Sequence, residues 1–222
     1  MKLKTFQYSQ PQSYHFSHDS IETPDFVARQ VLASGSLPTR VLDLCAGCGV
    51  MGLEFAWHVT GTFSVDFVEL QGEYRAHFER NVQSLREHRS GPATRFNWIE
   101  RNYEELQIPD FLEKYDLILC NPPYFHQREG RISKADFKRR CHFFLDSSTD
   151  HLWRSIGHVL APGGVAYVLV RPGGDHGRNP LEDVQRRFRY SAVVSICADI
   201  RGTHLFKIEK SPSELKQDVS TR

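Results

Sequence analysis

From Arg40 to Phe55 the chain reads RVLDLCAGCGVMGLEF: an apolar strand, a turn holding two glycines, and an apolar stretch at helical spacing. A strand–turn–helix unit restricts the fold more than any other feature here. It commits the chain to a crossover, and so to a parallel sheet with helices on its faces. The rest of the sequence continues the alternation. FSVDFVEL (Phe63–Leu70), RFNWIE (Arg95–Glu100), YDLILC (Tyr115–Cys120) and GVAYVLV (Gly164–Val170) read as further buried strands. AVVSICADI (Ala192–Ile200) and HLFKIE (His204–Glu209) read as a closing antiparallel hairpin around Arg201-Gly202-Thr203.

Helical patterns lie between the strands. One runs from start signals at Ser20 and Thr23-Pro24 to about Ala33, and others cover Val50–His58, Gln71–Leu85, Thr149–Leu160 and Pro180–Phe188. In the third, Tyr74, Phe78, Val82 and Leu85 share one face. The predicted fold is α/β, a doubly wound, seven-stranded, mostly parallel sheet with a terminal antiparallel hairpin. A single domain is expected over residues 1–210, its first 38 residues an N-terminal segment and helix packing on the sheet, with 211–222 a polar tail.

Composition bounds the function. At 222 residues and a net charge of +1, the chain carries no global field that would attract nucleic acid. Its longest apolar run, Val165–Val170, is far too short to span a bilayer, and the first twenty residues hold no apolar core of the secretory type. A cytoplasmic protein with no membrane partner is expected. Five cysteines (Cys45, Cys48, Cys120, Cys141 and Cys197) at irregular spacing do not form a disulfide framework.

The turn DLCAGCG contains both C-x-x-C and G-x-G, so it offers two chemistries. Zinc would ask for four ligands, and no second C-x-x-C or close Cys/His pair follows. A redox pair would need a different setting, so the cysteines read as small buried fillers and no metal is expected. As a cradle, Gly47 and Gly49 let backbone approach a ligand closely, and Glu69 ends the second strand where an acid receives ribose hydroxyls. Asp43 in the approach strand disfavours phosphate. The turn therefore favours a zwitterionic nucleoside such as S-adenosyl-L-methionine over a dinucleotide, with Asp43, Cys45, Gly47, Gly49 and Glu69 as candidate cofactor residues. An ordinary buried strand and turn is the plain alternative.

YDLILCNPPYF ends the fourth strand at the same sheet edge. Two prolines lock φ and remove two backbone donors, so Asn121, Pro122 and Pro123 present acceptors in a rigid frame. A planar amine donating to Asn121 Oδ1 and the Pro122 carbonyl would be held with its hydrogens out of plane, which makes its nitrogen more nucleophilic. Orientation and electrostatics then supply the catalysis. Tyr124 stacking on a base would add about 1–3 kcal/mol of binding. Phe125 offers a second apolar surface. After it, HQREGRISKADFKRRCH (His126–His142) sets six Lys/Arg against two acids, so Arg128, Arg131, Arg139 and Arg140 are candidate phosphate contacts, against the reading of a solvated loop.

In order, DLCAGCG, VEL, NPPYF and LAPGG resemble the Rossmann-like class I S-adenosylmethionine-dependent methyltransferases of the N-P-P-Y type. The resemblance implies that Asn121, Pro122, Pro123 and Tyr124 form the catalytic tetrad. It extends the cofactor set to Leu70, Asn102, Tyr103 and Asn121, with Arg101-Asn102 where the family usually has Gly-Asp. YHFSHDSIETPDFVA upstream and RRCHFFLDSSTDHLW downstream make the chain similar to the bacterial tRNA adenine-N6 methyltransferases that modify an anticodon-loop adenine of a valine tRNA. That similarity, over about Tyr14 to Glu209, implies an RNA substrate, a tRNA first. Alternatives are methylation of a release-factor glutamine amide, guanine-N2 methylation of ribosomal RNA, and a non-catalytic cofactor-sensing or RNA-binding module. Oligomeric state is left open.

Overall fold

The computed structural model describes residues 7–12, 15–89, 94–123, 148–172 and 179–212. The chain order is α1 (Asp19–Ser34), β1 (Arg40–Leu44), α2 (Val50–His58), β2 (Ser64–Glu69), α3 (Arg75–His88), β3 (Arg95–Glu100), β4 (Tyr115–Cys120), α4 (Thr149–Val159), β5 (Leu160–Val170), α5 (Pro180–Phe188), β6 (Ala192–Ile200) and β7 (Thr203–Lys210). The strands form one seven-stranded sheet in the order β3-β2-β1-β4-β5-β7-β6. From β3 to β5 every pairing is parallel, and β7 runs antiparallel to both β5 and β6. The expected fold class is met.

Alternation along the central strands explains the two covered faces. On β4, Leu117 and Leu119 enter the core shared with α1, α2 and α3, while Ile118 and Cys120 enter the core shared with α4 and α5. All four are 3% exposed or less, as a strand buried on both faces requires. Helix ends are capped where the sequence allows. Ser148 Oγ accepts from His151 N ahead of α4, and Asn179 Oδ1 accepts from Leu181 N ahead of α5, with Pro180 at the first helical position.

Two boundaries differ from expectation. Helix α1 begins at Asp19, so Pro24 lies inside it rather than at its start. Its first turn carries tertiary partners on Asp19 and Ser20, which anchor the helix end ahead of the proline. Strand β5 begins at Leu160, opposite Tyr115, and the Pro162-Gly163-Gly164 segment forms an irregularity before regular pairing resumes at Leu117↔Val165. No helix among the described residues is long and apolar enough to cross a membrane.

Helix α2 lies close on β2 because Gly52 has no side chain. A Cβ there would come 2.6 Å from the Phe67 ring and 3.0 Å from Val65. Gly52→Ala is expected to destabilise the fold by about 1–3 kcal/mol despite alanine's better helix propensity, read as a lower midpoint in urea unfolding.

Candidate active site at the carboxyl end of the sheet

β1 and β4 are neighbours, with Leu44 paired to Cys120. The glycine turn and the Asn121-Pro122-Pro123 segment therefore leave the sheet side by side. β1 also separates strands that run outward in opposite directions, which makes this edge the topological switch point where open α/β sheets bind ligands.

The turn is a run of left-handed residues. Cys45, Gly47 and Gly49 have φ of 61, 54 and 81°. Cys45 shows that this backbone accepts a side chain at its first position, where glycine is usual. Gly49 does not have that latitude, since a Cβ would come 2.7 Å from the Phe78 ring. Asp43 Oδ2 accepts from Gly52 N at 2.8 Å, so the carboxylate occupies a donor of the α2 N-terminus. In dinucleotide folds such donors receive pyrophosphate. Here a buried carboxyl already takes that donor, which leaves less for a phosphate. The carboxyl is 1% exposed and faces the helix, where it meets backbone N–H. Burial pushes it up to about 8, against the lowering effect of Gly52 N–H and with a further raise from the Glu69 charge.

Glu69 ties the turn to the end of β2. Its Oε2 accepts from Gly47 N at 2.8 Å and its Oε1 from Gln71 N at 2.9 Å. Burial raises its pKa, while the N–H groups of Gln71, Gly47 and Leu70 pull it back. An ionised carboxylate has about four lone-pair sites, so with three N–H groups on it, acceptor capacity remains for a ribose hydroxyl. Leu70 beside it is 37% exposed and offers apolar surface at the same edge. The residues thus fit an adenosine whose ribose meets carboxylate and whose other end carries positive charge.

Across the crevice, Pro122 is buried and Asn121 and Pro123 are half-buried. Asn121 Nδ2 donates to Ser20 Oγ at 3.0 Å. The two cysteines of C-x-x-C, read from the sequence as small buried fillers, have different neighbours. Cys48 packs with Ile21, Val50 and Tyr74, whereas Cys45 lies against Cys120. The Cys120 thiol and burial push Cys45 well above the usual thiol range, and burial pushes Cys48 up to about 12. Protonated thiols are poor ligands and nucleophiles, which suits fillers. Cys45, Cys48, Cys120 and Cys197 are free. No group of three or more metal-ligating side chains occurs among the described residues.

Two expected cofactor residues have structural tasks. Asn102 Oδ1 accepts from Glu104 N at 3.1 Å and caps the 3-10 turn Tyr103–Leu106. Tyr103 departs further from expectation. Only 9% exposed, it packs with Leu106, Leu152 and Ile156, donates its hydroxyl to Ser148 O at 3.2 Å, and accepts on its carbonyl from Ser155 Oγ. Its ring serves the core under α4. Tyr124, Phe125, Arg128, Arg131, Arg139 and Arg140 lie outside the described residues.

Sequence reasoning missed Asn81. This buried amide accepts from Ser9 N at 2.6 Å and donates to Ser9 O and Cys48 O, both at 3.0 Å, so it straps the N-terminal segment over the glycine turn. A polar residue among Phe78, Val82 and Leu85 on the buried side of α3 was the available signal.

Comparison with known proteins agrees with this geometry. The model of the methyltransferase small domain matches residues 12–153. The chain belongs to that family. Membership carries the enzyme class and cofactor expected from the sequence, a methyltransferase and S-adenosyl-L-methionine. A curated relative from Shewanella putrefaciens, named tRNA1(Val) (adenine(37)-N6)-methyltransferase, is 26% identical over 144 residues, 64% of this chain and 56% of the relative. A protein of the same name from Shigella boydii is 31% identical over 93 residues, 40% of this chain and 34% of that one. The chain thus spans about half the length, or less, of the curated relatives it matches. Among solved structures, TrmN from Thermus thermophilus superposes with a TM-score of 0.55 at 19% identity, covering 84% of this chain and 48% of that one. A ribosomal protein L11 methylase from Lactobacillus delbrueckii gives 0.57 at 14%, covering 88% and 80%. At these identities the structures speak for the fold alone.

The small-domain methyltransferase should show Asp43 in its pH profile. Its folded-state carboxyl titrates near 8 against an ordinary 3.8, so the folded chain holds a proton that the unfolded chain has released. Stability from this group falls as pH rises through that window and levels off above it. Asp43→Asn is expected to flatten the decline between about pH 5 and pH 8 in paired urea melts.

Proposed function

We propose that the protein transfers a methyl group from S-adenosyl-L-methionine to the exocyclic N6 of an adenine in RNA, a tRNA first. The observation that carries this is the juxtaposition of two loops on adjacent strands: the Glu69-braced glycine turn and Asn121-Pro122-Pro123. The cofactor, when bound, supplies an electrophilic methyl on a cationic sulfonium. The chain's own residues do the rest. Glu69 and Leu70 orient the nucleoside. Asn121 Oδ1 and the Pro122 carbonyl accept the two amine hydrogens and turn the nitrogen lone pair toward the methyl. Pro122 and Pro123 keep that frame rigid. No strong base is required, because an aniline-like nitrogen becomes acidic once it is alkylated and can release its proton to water.

Adenine in tRNA is favoured as acceptor by the name of the curated relatives and by the N-P-P sequence, which suits a planar amine. The basic run from His126 to His142, with Arg128, Arg131, Arg139 and Arg140, belongs to this proposal as a phosphate contact, and Tyr124 and Phe125 as the stacking surface for the base.

Mass spectrometry of nucleosides from total RNA incubated with enzyme and cofactor is expected to show new N6-methyladenosine in the tRNA fraction. Its absence at every enzyme level would remove the adenine-N6 reading, and a rise in N2-methylguanosine in its place would reassign the acceptor. Asn121→Ala should abolish transfer while calorimetric binding of S-adenosylhomocysteine persists. Glu69→Ala should do the reverse first, weakening that binding by roughly 10–100-fold, as expected for the loss of charge-assisted hydrogen bonds.

A further inference from the structure

Asn121 has a partner that no motif announces. Ser20, in the first turn of α1 and 5% exposed, places its Oγ 3.0 Å from Asn121 Nδ2, across 101 residues of chain. That contact bears on which edge of the amide meets a substrate. The terminal torsion of an asparagine is broad and roughly two-fold, so rotation exchanges an acceptor oxygen for a donor nitrogen. An incoming amine is itself a donor. It is held by Oδ1 and repelled by Nδ2. With Nδ2 engaged by Ser20, Oδ1 lies on the opposite edge of the amide, and the exchange would cost that hydrogen bond.

Ser20 is itself well placed to hold a position. Its backbone N–H donates to Ser17 O at 3.1 Å. Its neighbour Asp19 accepts from Thr203 Oγ1 at 3.4 Å, and Glu22, one half-turn on, pairs with Arg201 at 3.0 Å. Arg201 and Thr203 belong to the β6–β7 turn and the start of β7, so the antiparallel end of the sheet fixes the helix end that carries Ser20.

We infer that Ser20 is a positioning residue for methyl transfer, its hydroxyl locking the Asn121 amide so that Oδ1 faces the acceptor nitrogen. The inference rests on the reading of Asn121 as the amine frame given above. It assigns a role to α1 that is separate from cofactor binding, and it predicts a defect confined to the chemical step.

The test compares wild type with Ser20→Ala, Ser20→Thr and Asn121→Ala. Single-turnover transfer to unmodified bulk tRNA, calorimetric binding of S-adenosylhomocysteine, and hydrogen exchange of the Asn121 side-chain amide by NMR are measured for each. Ser20→Ala should lower the transfer rate about 10-fold. Cofactor-product affinity and tRNA KM should stay within about 2-fold. Ser20→Thr, which keeps the hydroxyl, should recover most of the rate. The Asn121 amide signal, identified by its loss in Asn121→Ala, should exchange faster in Ser20→Ala. A wild-type rate and unchanged amide exchange in Ser20→Ala, with Asn121→Ala inactive, would overturn the inference and leave the amine frame standing. Equal losses in Ser20→Ala and Ser20→Thr with weakened S-adenosylhomocysteine binding would also overturn it, since that is the mark of a general structural role. Full activity in Asn121→Ala would sink the amine frame first, and this inference with it.

Discussion

β1 and β4 run side by side in the middle of the sheet, yet the helices that follow them cover opposite faces. Helix α2 sends Leu53, Phe55 and Ala56 into one core, and α4 sends Leu152, Ile156 and Val159 into the other. Two chains leaving adjacent strands for opposite faces must diverge at the strand ends, and the divergence opens a crevice. Its walls are the glycine turn and the Asn121-Pro122-Pro123 segment, fixed by the pairing of Leu44 with Cys120. Position along the edge is thus set by strand register, and chemistry by whichever residues occupy the first positions past each strand.

Electrostatics then narrows what the crevice can hold. Asp43 and Glu69 are both buried carboxyls, and neither has a Lys or Arg partner in its described hydrogen bonds. Backbone N–H groups answer them instead, from Gly52 on Asp43 and from Gly47, Gln71 and Leu70 on Glu69. Such an arrangement keeps the turn rigid and engages N–H donors that a pyrophosphate would need, whereas a ribose brings donors of its own.

Much of this was legible in the sequence because it follows from period and punctuation. A two-residue period in YDLILC, a glycine pair after VLDL and an acid 22 residues beyond Gly47 are local signals, and the sheet brought them together. What stayed hidden is relational. Ser20 looked like a helix start, since nothing local says that a residue 101 positions later will need its hydroxyl. C-x-x-C invited pairing Cys45 with Cys48, but a left-handed Cys45 turns its thiol toward the neighbouring strand and Cys120. Tyr103 followed a family position, and the packing of α4 claimed its ring.

The N-terminal segment is joined to the turn by one side chain, and this has a mechanical consequence. Asn81 bonds Ser9 through both its donor and its acceptor edges, as a neighbouring strand would, and spends its second hydrogen on Cys48 O. Ser9 Oγ adds a contact to His77 Nδ1 at 2.8 Å. The strap carries Tyr8 into the space above α2, where burial and the Glu54 carboxylate push its hydroxyl well up, so it stays a neutral donor beside a carboxylate that has no solvent exposure. Losing the Asn81 amide would strand buried partners on both the strap and the turn, a penalty larger than that of the bonds themselves. Strap and cradle therefore share their stability: whatever loosens residues 7–12 also loosens the turn that binds the nucleoside.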